Sequence, residues 1–427
     1  MRTASPSMVL LLAALLPALT SAADLDAGIA AVEADMLRLR HELHANPELS
    51  NHEVRTAAIV ATRLRALGLE VREQVAITGV VGILYGGRPG PVVAVRADMD
   101  ALPVTEDSGL IFASTRRAIY LGQEVGVAHA CGHDIHTSVQ MGVASVLAAM
   151  RDTIAGTVIF VFQPAEEGTL PGEAGGASLM VEEQLFGELR PEAMFALHSW
   201  PTLEVGQVGF TSGPSYASSD HFLIDIMGRQ AHGAWPQLAV DPVVTAAQVI
   251  QALQTIRSRN LDPRTPGVIT VGIVHGGERF NIIPETVHLE GTVRAYSVET
   301  QDLIERRMRE ILDGITAAAG ADYTLTYDRK VPSTHNDPEL AAWARRSLVA
   351  SLGDTAVIDD PPSMGAEDFS YFLQDGIPGF YFRLGVTDPE YGSGPLHTPT
   401  FRADDAAVAV GIKAMASLVL DYLEEHR

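Results

Sequence analysis

Apolar residues at Ile29, Val32, Met36, Leu39 and Leu43 recur at helical spacing and stop before Asn46-Pro47, which predicts a first amphipathic helix. A second helix is expected from about His52 to Leu67, with Gly68 as its stop. The pattern then shortens to two strand-like runs, Val80–Tyr85 and Val92–Ala97, divided by the turn Gly86-Gly87-Arg88-Pro89-Gly90. A helix over about His136–Met150 and the apolar runs Thr157–Phe162 and Ala193–Leu197 continue the alternation expected of an α/β sheet. From about Gly213 the order becomes strand (His221–Met227), helix (Asp241–Arg259), strand (Val268–His275), strand (Thr286–Tyr296), helix (Val298–Ala319) and strand (Asp322–Tyr327). That βαββαβ order is the order of a split, ferredoxin-like unit. Helix Pro338–Leu352, strand Gly379–Leu384 and a terminal helix from about Asp404 return the chain to the first domain. Residues 24–212 and 328–427 are therefore expected to form one domain, interrupted by an inserted domain over 213–327.

The N-terminus begins with Met-Arg, an apolar Met8–Leu19 stretch and the small residues Thr20-Ser21-Ala22-Ala23, which is the layout of a secretory signal peptide over residues 1–23. The apolar stretch is short for a membrane span, and no later run of that kind stands out, so a soluble periplasmic or secreted protein is expected once the signal is removed, with a retained N-terminal anchor as the alternative. A formal charge of −23 disfavours nucleic acid and anionic membrane surfaces as partners and leaves a small molecule or another protein.

An exported chain with a single cysteine has no intramolecular disulfide, so Cys131 is metal-bound, buried or paired with another molecule. Its neighbours decide between these readings. Cys131 and His133 stand two apart in Ala-His-Ala-Cys-Gly-His-Asp-Ile-His, and a thiolate and an imidazole at that spacing can grip one divalent cation. Glu167, His198 and His397 would add a carboxylate and two imidazoles, a set suited to Zn²⁺ or Mn²⁺. Five ligands exceed the needs of one catalytic zinc, whereas two ions bridged by one group, with the Cys131 sulfur as a candidate, would use them all. Glu166, beside Glu167, is placed to act as a proton acceptor, and Asp100 to orient a ligand histidine, with Asp98 as a weaker candidate. His41-Glu42-Leu43-His44 has its histidines three apart rather than four and reads as surface or packing residues. Gly172-Glu173-Ala174-Gly175-Gly176 reads as a loop without the context of a phosphate cradle.

Seven segments taken together resemble the M20 metallopeptidase family, in its aminoacylase-like amidohydrolase branch, which includes hippurate hydrolases and indole-acetyl-amino-acid hydrolases. They are Arg40–His44 with Pro47–Ser50, Arg96–Pro103, His129–Asp134, Gln163–Gly168, Asn281–Pro284, Met364–Phe369 and His397–Pro399, in order through nearly the whole chain. The resemblance implies a mixed-sheet di-metal hydrolase domain with an inserted ferredoxin-like lid and dimerisation domain. It implies Cys131, His133, Glu167, His198 and His397 as ligands of two divalent ions and Glu166 as general base. It further implies that His232, in Gly228–Ala234, stabilises the oxyanion, often across a homodimer interface, and that Asn281 and Arg294 hold a substrate carboxylate. Two departures bear on substrate choice: a Pro-Gly-rich loop lengthens the stretch between Glu167 and His198, and Trp235-Pro236-Gln237 replaces a family histidine.

The expected activity is hydrolysis of an amide whose amine side is an amino acid with a free carboxylate, as in an N-acyl amino acid or short peptide. A dipeptidase or carboxypeptidase of the same fold is the nearest alternative, separable with acyl-blocked and free-amine peptides. A non-catalytic metal-binding protein is the more distant one, disfavoured by Glu166 beside a full ligand set.

Overall fold

A computed structural model of the protein describes residues 22–427; the expected signal segment lies outside the described residues except for its last two positions. The chain opens with helices α1 (Ala22–Ala45) and α2 (Val54–Ala66) and strands β1 (Glu70–Val75), β2 (Gly79–Tyr85) and β3 (Arg88–Asp98). Helix α3 (His133–Ala149) then leads to β4 (Ala155–Gln163), β5 (Ala193–Glu204) and the short β6 (Val208–Phe210). After the inserted unit come α6 (Pro338–Leu352), β11 (Val357–Asp359), β12 (Gly379–Thr387) and α7 (Ala406–Glu425). The eight strands form one mixed sheet in the order β1-β2-β4-β3-β5-β12-β6-β11. Its centre, β4-β3-β5-β12, is parallel.

Parallel strands covered on both faces read as continuous apolar runs, because alternate side chains enter different cores. In β4, Val158, Phe160 and Phe162 join the core under α1, α3 and α7, while Ile159 and Val161 join the opposite one with Met180 and Phe369. Each fully buried phenylalanine or isoleucine of this kind contributes roughly 1.5–3 kcal/mol. Helix α7 is the one described helix long and apolar enough to cross a membrane, which corrects the expectation of no second such run. Two-thirds of its most apolar window is buried within the protein, against α1, α3 and α6, so it serves as a core helix.

The inserted unit runs β7 (Ser219–Met227), α4 (Pro242–Thr255), β8 (Gly267–Gly276), β9 (Thr286–Ala295), α5 (Val298–Ala319) and β10 (Asp322–Val331). Its strands pair antiparallel in the order β8-β9-β7-β10, the order of the split βαββαβ unit that the pattern predicts. Phe222, Ile224, Val249, Leu289, Met308 and Leu312 close a core separate from the two beneath the large sheet. Helix α5 is stopped at both ends: Ser297 Oγ accepts from the Thr300 amide, and Gly320 turns left-handed at φ 69°.

Several elements differ from the sequence expectation. Helix α3 starts at His133 instead of His136, because left-handed Gly132 ends the preceding turn. Strand β5 continues through His198 to Glu204, so that histidine lies within the strand. Gly176, the last residue of the expected loop, opens a seven-residue helix, Gly176–Glu182. The exposed edge strand β1 and a hairpin, Arg117–Tyr120 with Gln123–Gly126, carry too little buried apolar pattern to announce themselves.

Candidate active site

The carboxyl ends of β3 and β4 stop level with each other, Asp98 opposite Gln163, whereas β5 runs past its last partner in β3, Ala196. His198 on β5 therefore overhangs the segments that follow β3 and β4, which is where sites gather in α/β sheets. Two left-handed non-glycine residues shape this edge. Ala165, at φ 52°, lies immediately before Glu166, and His397, at φ 62°, is held by its amide to the Ala130 carbonyl at 2.8 Å. Such backbone costs on the order of 1–3 kcal/mol and persists only where surroundings impose it. Gly132 meets a stricter demand, since a Cβ there would lie 2.2 Å from Ser199 Oγ, which is itself bonded to the Cys131 carbonyl at 2.6 Å.

The five expected ligands converge. Cys131 Sγ lies 3.3 Å from His198 Nε2 and 3.2 Å from His397 Nε2. Glu167 Oε1 lies 3.2 Å from His397 Nε2 and 3.8 Å from His133 Nε2. Ligands bound tetrahedrally at about 2.0–2.3 Å stand roughly 3.3–3.8 Å apart, so these separations suit donors around ions. Two groups form, Cys131 with His133 and His198, and Cys131 with Glu167 and His397, and the sulfur belongs to both.

Hydrogen bonding points the same way. His198 Nδ1 donates to the Ser199 carbonyl at 2.7 Å, which leaves its Nε2 lone pair free toward the sulfur. His133 Nδ1 faces Asp100 Oδ1 at 3.2 Å, while its Nε2 and Glu167 Oε1 are buried without hydrogen-bond partners. Buried polar atoms left unpaired are costly, and a divalent cation would satisfy both. Burial disfavours charge on His133, yet Asp98, Asp100 and Glu167 outweigh it and hold its pKa up to about 10. Burial together with Glu167 and Glu166 pushes the Cys131 thiol well up. The surrounding carboxylates thus favour positive charge in the cluster, which a cation would supply, and the donor set fits a pair of divalent ions.

Asp100 also accepts from Ser50 Oγ at 2.8 Å and from the Glu167 amide at 3.0 Å, so one carboxylate fixes both a histidine and the turn carrying a glutamate. Asp98 bonds His136 instead, and His136 Nε2 accepts the Ser199 amide at 2.7 Å. Glu166 approaches His133 Nε2 at 4.0 Å and neighbours Glu367 and Asp368. Burial and those carboxylates raise its pKa well above the usual range against the pull of Arg96.

A cavity of about 530 Å³ opens over this cluster. Cys131, Glu166, Glu167, His198 and His397 form its floor, Trp200 and Tyr216 a wall, and Ser219, Arg294 and Val331 of the inserted domain its roof. Arg294 is half-buried, burial pulls its pKa down, and its side chain makes no hydrogen bond or ion pair among the described residues. His232 and Asn281 do not line this cavity. They sit together in the inserted domain, where the Gly233 amide donates to the Asn281 carbonyl at 2.8 Å and His232 is exposed beside Trp235.

Some positioning residues escape the sequence reading. Buried Glu53 accepts the Ala165 amide at 2.9 Å and the Thr78 hydroxyl at 2.5 Å, holding the strained residue before Glu166; burial and Asp100 push its pKa up to about 8. Arg96, fully buried, donates to Asp98 at 2.7 Å, Glu367 at 2.9 Å, Asp368 at 3.1 Å and Gln163 at 2.8 Å. His44, read as surface or packing, is buried between Asp134 and Glu106, each at 2.9 Å. Burial opposes its charge, but Asp134 and Glu106 prevail and raise its pKa to about 9. The charged residues of Arg96–Asp100, at the end of β3, and of Glu367–Asp368, at the start of a short 3-10 helix, were the available signal, since such segments rarely bury so many charges without a task.

Residues 94–421 match the family model for peptidase family M20/M25/M40. The chain is 36% identical over 380 residues to N-acetyl-L-cysteine deacetylase of Bacillus subtilis, covering 89% of this chain and 86% of that one. It is 36% identical over 394 residues to thermostable carboxypeptidase 2 of Saccharolobus solfataricus, covering 92% and 96% respectively. Among solved structures, the Bacillus subtilis YXEP protein, described as a dinuclear metal-binding peptidase of the M20 family, superposes with a TM-score of 0.79 at 33% identity, covering 92% of this chain and 99% of that one. Sequence, fold and the converging donors agree: the chain belongs to peptidase family M20/M25/M40, in its aminoacylase-like amidohydrolase branch.

Proposed function

We propose that the protein is a metal-dependent amidohydrolase that cleaves the amide of an N-acyl amino acid or short peptide bearing a free carboxylate. The observation that carries this reading is a five-donor cluster, with one shared sulfur, lying beside Glu166 and beneath the unpaired Arg294. Cys131, His133, Glu167, His198 and His397 would hold two divalent ions, Zn²⁺ or Mn²⁺. When bound, the ions supply Lewis-acid activation of water and of the amide carbonyl. Glu166 takes a proton from water and returns it to the leaving amine. Asp100 holds His133 in the tautomer that presents Nε2. Arg294 binds the substrate carboxylate through two parallel hydrogen bonds; Asn281, which lies outside this cavity beside His232, would add a second donor from the neighbouring subunit.

His232 donates to the developing oxyanion. Because it lies outside its own chain's cavity, a homodimer built through the inserted domain supplies it from the neighbouring subunit. Exposed apolar residues of that domain, among them Trp235, Val274 and Phe280, and the open edge of β8 support such an interface. The Met8–Leu19 stretch supports export to the periplasm or beyond.

Replacing Glu166 with Gln tests the chemistry. Metal content measured by mass spectrometry is expected to stay at the wild-type level while kcat on an N-acyl amino acid falls about 100- to 10,000-fold. Near-normal kcat removes Glu166 from the role. Cleavage of free-amine dipeptides in preference to acyl-blocked substrates would favour the peptidase alternative.

A further inference from the structure

A second cavity, of about 550 Å³, adjoins the site, and Glu167 and Gly168 line both. Its walls are Leu49, Leu102 and Leu170 together with Ala118, Ile119 and Tyr120 of the hairpin Arg117–Gly126. That hairpin forms a two-stranded sheet of its own. It turns through Leu121 at φ 49° and Gly122 at φ 76°, a two-residue turn with both centres left-handed. An isolated hairpin is marginally stable, and this one leaves Ile119 68% exposed at the cavity. Nothing in the mechanism above uses these residues.

Resting on the amidohydrolase reading, we infer that this cavity is the acyl subsite and that it selects bulky apolar acyl groups over acetyl. Arg294 fixes the carboxylate end of the substrate under the inserted domain, and the donor cluster fixes the scissile amide. A planar trans amide sends its acyl carbon away from the amino-acid Cα, so the acyl chain leaves the cluster on the far flank. The cavity that shares Glu167 and Gly168 provides such a flank, and its volume falls in the range of roughly 300–1,000 Å³ typical of small-molecule pockets. Arginines at its rim are already engaged: Arg55 with Glu42 at 2.7 Å, Arg117 with Glu124 at 3.8 Å and Arg116 with the Asn46 side-chain oxygen. Their aliphatic stems extend the apolar lining; Glu42 and Glu124 offset two of the charges, while the neutral Asn46 amide accepts a hydrogen bond and leaves Arg116 cationic.

The test is steady-state kinetics of the full, metal-loaded chain on acetyl, hexanoyl, octanoyl and benzoyl derivatives of one amino acid. Specificity is expected to rise with chain length by roughly four-fold per buried methylene until the cavity fills, mainly through KM. Ala118→Phe from the hairpin and Leu170→Trp from the opposite wall should each lower the octanoyl-to-acetyl ratio of kcat/KM at least ten-fold. Two folded variants allow for a hairpin that does not tolerate one of them. Equal specificity for acetyl and octanoyl substrates in the wild type overturns the inference, as does a ratio that neither folded variant moves. Preference for an acyl chain ending in a carboxylate over its alkyl counterpart overturns the apolar assignment. Absence of turnover on every substrate is a separate outcome that sinks the hydrolase reading, and this inference with it.

Discussion

Arg96→Met isolates what holds the wall behind Glu166. The guanidinium has no solvent contact and is the shared cation of Asp98, Glu367 and Asp368. Each carboxylate keeps another donor after the change: His136 for Asp98, the Phe369 amide at 3.0 Å for Glu367, and the Gln163 side chain and Ala177 amide, both at 2.8 Å, for Asp368. The loss is therefore one of charge balance more than of hydrogen bonds. Breaking a buried ion pair from one side costs about 3–5 kcal/mol. Protonation relieves part of it, since burial, against Arg96 and with Glu367, already holds Asp368 up to about 7. A loss of about 3 kcal/mol is expected at neutral pH. Urea denaturation of metal-free protein measures it by fluorescence. Trp200 and Trp343 report the sheet domain, and Trp235→Phe silences the inserted domain so that one transition is read. Glu367→Gln should then cost less in the Arg96→Met background than in the wild type, a coupling that a double-mutant cycle detects. A loss below about 1 kcal/mol, or strict additivity of the two changes, would refute the account.

Gly132→Ala forces a Cβ against Ser199 Oγ in backbone at φ 83°, so a loss of about 1–3 kcal/mol and a displaced Cys131 are expected, read by denaturation and metal titration. His44 contributes stability that is fully present below its unfolded pKa of about 6.5 and is lost as pH rises through its folded value of about 9. That window corresponds to about 3 kcal/mol. Denaturation midpoints of wild type and His44→Gln should therefore converge between pH 6.5 and pH 9, and parallel curves would exclude the ion cluster as a source of stability. Saturating Zn²⁺ or Mn²⁺ at about a thousand times Kd should stabilise the chelated protein by about 4 kcal/mol per ion. Cys131→Ser, which alters the donor common to both groups, should reduce this gain for both ions; loss at a single ion would deny the sulfur its shared place.

The sequence alone determined the parts that periodicity and local chemistry can carry. A βαββαβ order interrupting an α/β pattern specifies the inserted domain, because each element buries one face at its own period. Cys131 and His133 are close by covalent spacing, and Glu167 lies next to Glu166 by adjacency, so three of the five donors were legible from local spacing without any fold. Tertiary structure alone decided the rest. His198 reaches the cluster because β5 outruns its neighbour, and His397 because a left-handed turn is tied to the Ala130 carbonyl. Arg96 balances carboxylates some 270 positions away in the chain, where no local pattern applies. The hairpin beside Glu167 escaped notice for the opposite reason: its apolar side chains face a cavity rather than a core, so they leave no burial period to read.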